Sequence, residues 1–253
     1  MKKIIPLVSI LTVMTIFLCI THSCKKSSSS SSTNNNGLAT QATAQASYDN
    51  QSGGVYKGEL TGSSGYFEVN LQASRPFIIY QWTNPAGNID SLFTTSLNNW
   101  ASGQAISKAV FTGSDGSVIW FSVSANGSNP SLDSIYIPSH SGPVYASVEK
   151  ELSNSLVKVY LGIGTPVSSN GGSCVSATVN FWTSGGTAAG TYLATSGDHG
   201  GGTGTLSGNQ IQITMGKETG TLTLSSDGNT ISGTVNGSGS NSCSHTIALT
   251  RVF

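Results

Sequence analysis

The sequence predicts an all-β fold of two small antiparallel modules, and three observations predict it. Between Val55 and Val252 short stretches alternate apolar and polar residues, the period of a strand with one buried face. Turn chemistry separates them at Asp115-Gly116, Asn126-Gly127, Asp227-Gly228-Asn229 and Asn236-Gly237. Charged residues make up only 9% of the chain, which holds 31 glycines, so hydroxyls rather than charges wet the strand faces. A two-sheet sandwich and an eight-stranded barrel both satisfy this pattern.

Residues 1–23 have the order of a secretory signal: Lys2 and Lys3, an apolar run from Ile4 to Ile20, then small or polar residues. Seventeen residues containing Pro6 sit at the short limit for crossing a ~30 Å hydrocarbon core. Cys24, followed by Lys25, Lys26 and a serine tract, resembles the start of mature bacterial lipoproteins of the Bacteroidota type. That resemblance implies diacylation of the Cys24 sulfur, a new N-terminus there, and a membrane anchored through acyl chains worth ~0.8 kcal/mol per buried CH₂. It also implies an outer-membrane location. Relatives displayed outside tend to carry acidic residues after the cysteine, so the two lysines favour the periplasmic face. Thr21 and Ser23 would also suit ordinary cleavage before Cys24, the alternative that leaves a secreted protein.

Residues 24–52 read as a Ser/Asn-rich tether, with a short helix expected over Leu38–Asp49. About 26 residues at ~5 to 6 Å × √n hold a globule roughly 25 to 30 Å from its anchor. A first module over 53–155 is expected to place strands at Val55–Thr61, Tyr66–Leu71, Phe77–Thr83, Ile89–Leu97, Ala105–Thr112, Val118–Ala125 and Leu132–Ile137. Val144–Ser153, rich in Ala, Glu and Lys, reads as a helix. A second module over 156–253 follows, with strands at Leu156–Leu161, Val175–Thr183, Thr187–Thr195, Gly202–Leu206, Gln210–Met215, Gly220–Leu224, Thr230–Val235 and His245–Val252. Its opening Val159-Tyr160-Leu-Gly162-Ile-Gly-Thr165 echoes Val55-Tyr56-Lys-Gly58-Glu-Leu-Thr61, 104 residues earlier. The Tyr-x-Gly openings and the closing Ile-Ala-Leu-Thr-Arg resemble the β-rich modules of Bacteroidota lipoproteins, a likeness that brings no activity with it.

Cys19 leaves with the signal and Cys24 is the anchor, so Cys174 and Cys243 remain as an even pair in an oxidising compartment, and a disulfide is predicted. Net charge is zero, with no basic cluster beyond Lys25 and Lys26, which excludes nucleic acid as a partner. No nucleophile elbow, zinc-binding His motif, EF-hand or phosphate-binding loop is present, so no cofactor, metal or catalytic set is assigned. Gly197–Gly204 reads as a loop, with the neighbours Asp198 and His199 as the best catalytic candidates. His140 reads as a turn residue, His245 as an edge of the last strand, and Glu59 with Glu68 as an unmarked acid pair. Trp182, Trp120 and Trp82 share the hydroxyl-bearing sides of their strands, where an indole serves either as a sugar platform or as packing against a second sheet. The expectation is a lipid-anchored, non-enzymatic envelope protein of binding or structural type, with a polysaccharide or another envelope protein as partner. The alternatives are a barrel-like second module carrying a small hydrophobic ligand and a secreted hydrolase acting on glycans.

Overall fold

The computed structural model describes residues 37–62, 64–82, 89–138, 140–169, 173–239 and 242–253. The signal segment, Cys24 and the first part of the tether lie outside the described residues. The first module runs β1 (Val55–Thr61), β2 (Ser64–Asn70), β3 (Phe77–Trp82), β4 (Ile89–Phe93), β5 (Ile106–Gly113), β6 (Val118–Val123), β7 (Ser131–Tyr136) and β8 (Tyr145–Glu151). These strands pair in the order β7-β6-β5-β4-β3-β2-β1-β8, a meander whose last strand returns to its first. The ladder from Val55↔Glu151 to Thr61↔Tyr145 makes that join, and the sheet is left open between β7 and β8.

The second module runs β9 (Lys158–Ser169), β10 (Ala177–Ser184), β11 (Thr187–Ala194), β12 (His199–Ser207), β13 (Gln210–Met215), β14 (Glu218–Leu224), β15 (Thr230–Gly237) and β16 (Cys243–Arg251), and it closes completely into a barrel. The same device recurs, since β9 pairs with both β10 and β16. The sequence echo falls on the two first strands and has the same use in each. Tyr56 and Tyr160 are fully buried, and their hydroxyls donate to the carbonyls of Ser52 at 2.6 Å and Gly228 at 2.9 Å. Two residues on, a Cβ at Gly58 or Gly162 would run into a carbonyl of the closing strand, that of Ser147 or Ala248. Closure therefore requires glycine at both positions.

The two interiors differ in bulk. The first is packed with Tyr56, Phe67, Tyr80, Phe111 and Phe121 among Leu60, Ile78, Leu92 and Ile119. The second holds Tyr160, Phe181, Val179, Met215 and an aliphatic set from Ile211 to Leu249. Between the modules, β1 lies across β9, β10 and β11 and is buried along its whole length. Tyr66, Val157, Val159 and Trp182 form an apolar seam there, flanked by Phe253.

That seam also holds charge. Lys57 Nζ donates to Glu151 Oε2 at 2.6 Å, and Glu151 also accepts from Thr43 N at 2.6 Å and Val157 N at 3.2 Å. One carboxylate thus ties the end of the tether, the first sheet and the entry to the barrel. Glu59 is fully buried beside it, accepting from Thr191 Oγ1 at 2.8 Å and Thr61 Oγ1 at 2.9 Å. Asn180 Nδ2 crosses the same seam to the Leu60 carbonyl at 2.9 Å.

Three sequence expectations change. Val144–Ser153 is not a helix: Val144, Ala146 and Val148 pack on the first core at strand period, and pairing with β1 overrides the helical propensity of Ala, Glu and Lys. Leu38–Asp49 contains only a 3-10 turn at Ala46–Tyr48. The glycine run expected as a loop enters β12 at His199, because the missing side chains admit neighbours: a Cβ at Gly200 would strike the Tyr192 ring.

Candidate functional site

Strand parity decides which residues look into the barrel. Phe181, Val179 and Ala177 on β10, Tyr192 and Ala194 on β11, Met215 on β13, and His245 and Ile247 on β16 fall on inward positions. Near the end where the β11–β12, β13–β14 and β15–β16 turns gather, several of these positions are small: Gly164, Ala177, Ala194 and Gly237. They leave a cavity of about 470 Å³ open at that mouth. Val179, Met215 and Ile247 form its apolar wall, and Tyr192, Asp198, Glu218 and His245 stand around it.

Glu218 and His245 lie on strands separated by β15, whose Gly237 pairs with Glu218 and puts no side chain between them. His245 Nδ1 sits 2.8 Å from Glu218 Oε1, and Nε2 sits 3.0 Å from the Val175 carbonyl. A carbonyl only accepts, so Nε2 carries a proton, and a second proton lies between Nδ1 and the carboxyl group. Burial pushes the Glu218 carboxyl up, and the neighbouring His245 partly offsets this. The other oxygen, Oε2, is shut away from water and has no donor. Burial likewise raises the Tyr192 phenol, which the carboxylates of Asp198 and Glu218 reinforce.

The predicted disulfide forms. Cys174 and Cys243 are bonded, their Cα atoms 5.6 Å apart, at the rim of this mouth. The segment 173–176 is thereby fixed to β16, and the bonds from His245 to Val175 O and from Thr195 N to Ser176 O at 2.9 Å hold its far side.

The tryptophans come out differently from the expected platform. Trp182 is 6% exposed, packed in the intermodule seam with Nε1 donating to Ser147 Oγ at 2.8 Å. Trp82 is 5% exposed and belongs to the first core, against the edge of His140. Both are packing residues: the hydroxyl-bearing side of β10 faces the other module rather than water, and Trp82 on β3 points into the first module's own core. Trp120 remains 38% exposed on the outer face of the first sheet, and Tyr136, at 58%, lies one strand away. Asp198 and His199 diverge: Asp198 lines the barrel mouth, while His199 stacks on Tyr145 with ring centroids 4.1 Å apart. Glu59 and Glu68 are both buried, Glu59 completely.

The mouth and its His245–Glu218 pair were not singled out from sequence. The available signal was parity: both residues occupy inward positions in line with Leu222 or Ile247, where an apolar residue is the ordinary choice. Among the described residues no group of three His, Cys, Asp or Glu side chains is placed to hold a metal ion. Comparison of the chain with protein-family models, curated proteins and solved structures returns no match.

Proposed function

We propose that this chain is an exported, lipid-anchored, non-enzymatic protein of the cell envelope that binds a small molecule in the mouth of its second module. The observation that carries this reading is the cavity of about 470 Å³ in a closed eight-stranded barrel. Barrels of this strand number have interiors that side chains just fill or that hold one small ligand, and here small inward residues leave one end unfilled. The volume lies within the roughly 300–1,000 Å³ of ligand pockets, and an apolar wall with a few polar groups at its edge is their usual lining. The disulfide at the rim supports the reading too, because a fixed mouth costs less ordering on binding.

Titration with N-phenyl-1-naphthylamine, a neutral apolar fluorophore, tests it. Saturable binding at one site is expected in the wild-type protein and is lost when Ala194→Trp fills the mouth. Equal binding by the variant, or no saturable binding at all, refutes the proposal.

A second reading keeps carbohydrate as the ligand, now at Trp120 with Tyr136 on the outer face of the first sheet, because these two aromatic residues remain exposed on neighbouring strands. Loss of polysaccharide retention in Trp120→Ala, with unchanged melting temperature, is the result this reading requires.

A further inference from the structure

We infer that the side chains of Lys57 and Glu151 join in an amide bond that forms within the folded chain, with Glu68 carrying the proton. Until it forms, the two are the ion pair of the intermodule seam. Lys57 Nζ lies 2.6 Å from Glu151 Oε2, so the carboxyl carbon is one bond beyond the contact. Glu68, paired directly with Lys57 across β1 and β2, holds its Oε2 4.0 Å from the same nitrogen, while Asn70 Nδ2 donates to its Oε1 at 3.2 Å. The far oxygen of Glu151, Oε1, accepts from Thr43 N at 2.6 Å, Thr43 Oγ1 at 2.9 Å and Ala44 N at 3.3 Å. Those donors stand where negative charge collects when a nitrogen adds to the carboxyl carbon.

The site is dry: Lys57 is 1% exposed, Glu151 is fully buried, and the Phe253 ring lies 4.9 Å from the ammonium. Exclusion of water favours a neutral amine and acid over two charges, and it protects a finished amide from hydrolysis. Burial raises the Glu68 carboxyl, with Lys57 and Asn70 partly offsetting the effect and the Glu151 carboxylate reinforcing it, which suits Glu68 to take and return a proton. No co-reactant is needed. One proton crosses from Nζ to Glu151 Oε2, and the free amine adds to the carboxyl carbon. Glu68 then takes a second proton from the nitrogen and delivers it to Oε2, the C–Oε2 bond breaks, and one water leaves. Groups held in this way react as if at an effective concentration of about 10⁵–10⁸ M, which offsets an equilibrium that favours hydrolysis in open water.

The position of the pair gives the bond a use. The tether enters the first module at β1 and the chain leaves for the barrel after β8, so Lys57 and Glu151 stand at the entrance and the exit. An amide between them spans 94 residues, and a pull between the N-terminal tether and the barrel bypasses β2 to β7.

Mass spectrometry of the full-length protein, incubated folded and then denatured, reduced and digested, tests this. A branched peptide joining Lys57 to Glu151, lighter by one water than its two parts, is expected, and Lys57 should escape reductive methylation of the denatured chain. Lys57→Arg keeps the charge but supplies no amine, and it should give only the separate peptides. Glu151→Gln should form the same amide with loss of ammonia in place of water. Glu68→Gln should slow conversion by at least about a hundredfold, the usual worth of a positioned proton carrier. Pairing of Cys174 with Cys243 in an unreduced digest checks that each variant folds. Lys57 recovered free and methylated from the wild type overturns the bond, and an equal rate in Glu68→Gln overturns the part given to Glu68.

Discussion

Glu59 sets a pH dependence that its substitution should erase. Its carboxyl is fully shielded at the seam between the modules, and burial raises it from an ordinary 4.5 to about 8. Hydroxyls of Thr191 and Thr61 and backbone N–H groups of Ser147 and Thr191 bond the carboxylate and oppose that shift without cancelling it. The folded chain therefore keeps this proton where the unfolded chain has released it. With more protons bound in the native state, stability falls as pH rises through the window from 4.5 to 8, and it is fully present below 4.5. At ~1.4 kcal/mol per pH unit the loss reaches about 3 kcal/mol by pH 7. Urea unfolding at pH 5 and pH 7 reads this as a midpoint lower by roughly 1 M at pH 7, taking a slope of about 2 to 3 kcal/mol per molar. Glu68, Glu149 and Glu218 are shifted in the same direction, so the informative quantity is the difference between the wild type and Glu59→Gln. The variant should be close to the wild type at pH 5 and more stable at pH 7.5. Parallel pH profiles for the two proteins would show that Glu59 does not titrate in this window, and the reasoning would fail.

Other consequences follow from the same packing. Trp182→Ala, which removes a side chain 6% exposed in the intermodule seam, should cost ~3 to 5 kcal/mol by chemical denaturation and should leave probe binding at the barrel mouth intact in the folded protein. Glu151→Ala leaves the buried Lys57 ammonium with only the more distant Glu68 carboxylate, 4.0 Å away, and relative to the ion pair should cost up to ~3 to 5 kcal/mol, whereas replacing Lys57 and Glu151 together with apolar residues should recover much of it. Reduction of Cys174–Cys243, which closes a loop of 69 residues, should lower stability by about 4 kcal/mol in the chain-entropy model, and alkylation before and after reduction measures the bond. Cys24→Ala should abolish metabolic labelling with a fatty acid, and label retained in that variant would overturn the anchor.

Local signals were strong where one strand's own residues decide the outcome. Alternation located most of the strands, and Asp115-Gly116 and Asn126-Gly127 marked turns that form. An even cysteine count, once Cys19 and Cys24 were set aside, pointed to the disulfide. What was not legible depended on partners distant in the chain. Trp182 was correctly placed on the hydroxyl-bearing side of its strand, but that side is covered by β1, more than 100 residues earlier, so parity alone made a packing residue look like a platform. The β8 segment read as a helix because Ala, Glu and Lys favour one, and only its ladder to β1 makes it a strand. Glu218 and His245 are 27 residues apart on strands that do not pair, and they meet because β15 puts glycine between them. The cavity depends on which small residues the barrel's register brings to one end, and that register is set by all eight strands together.

Location of a bound probe tests the central claim most directly. In a crystal of the protein soaked with 1-bromonaphthalene, a neutral apolar probe, the anomalous signal of bromine should lie inside the second barrel, against Val179, Met215 and Ile247. A mouth that stays empty while the bromine sits on the outer face beside Trp120 and Tyr136 would contradict the account.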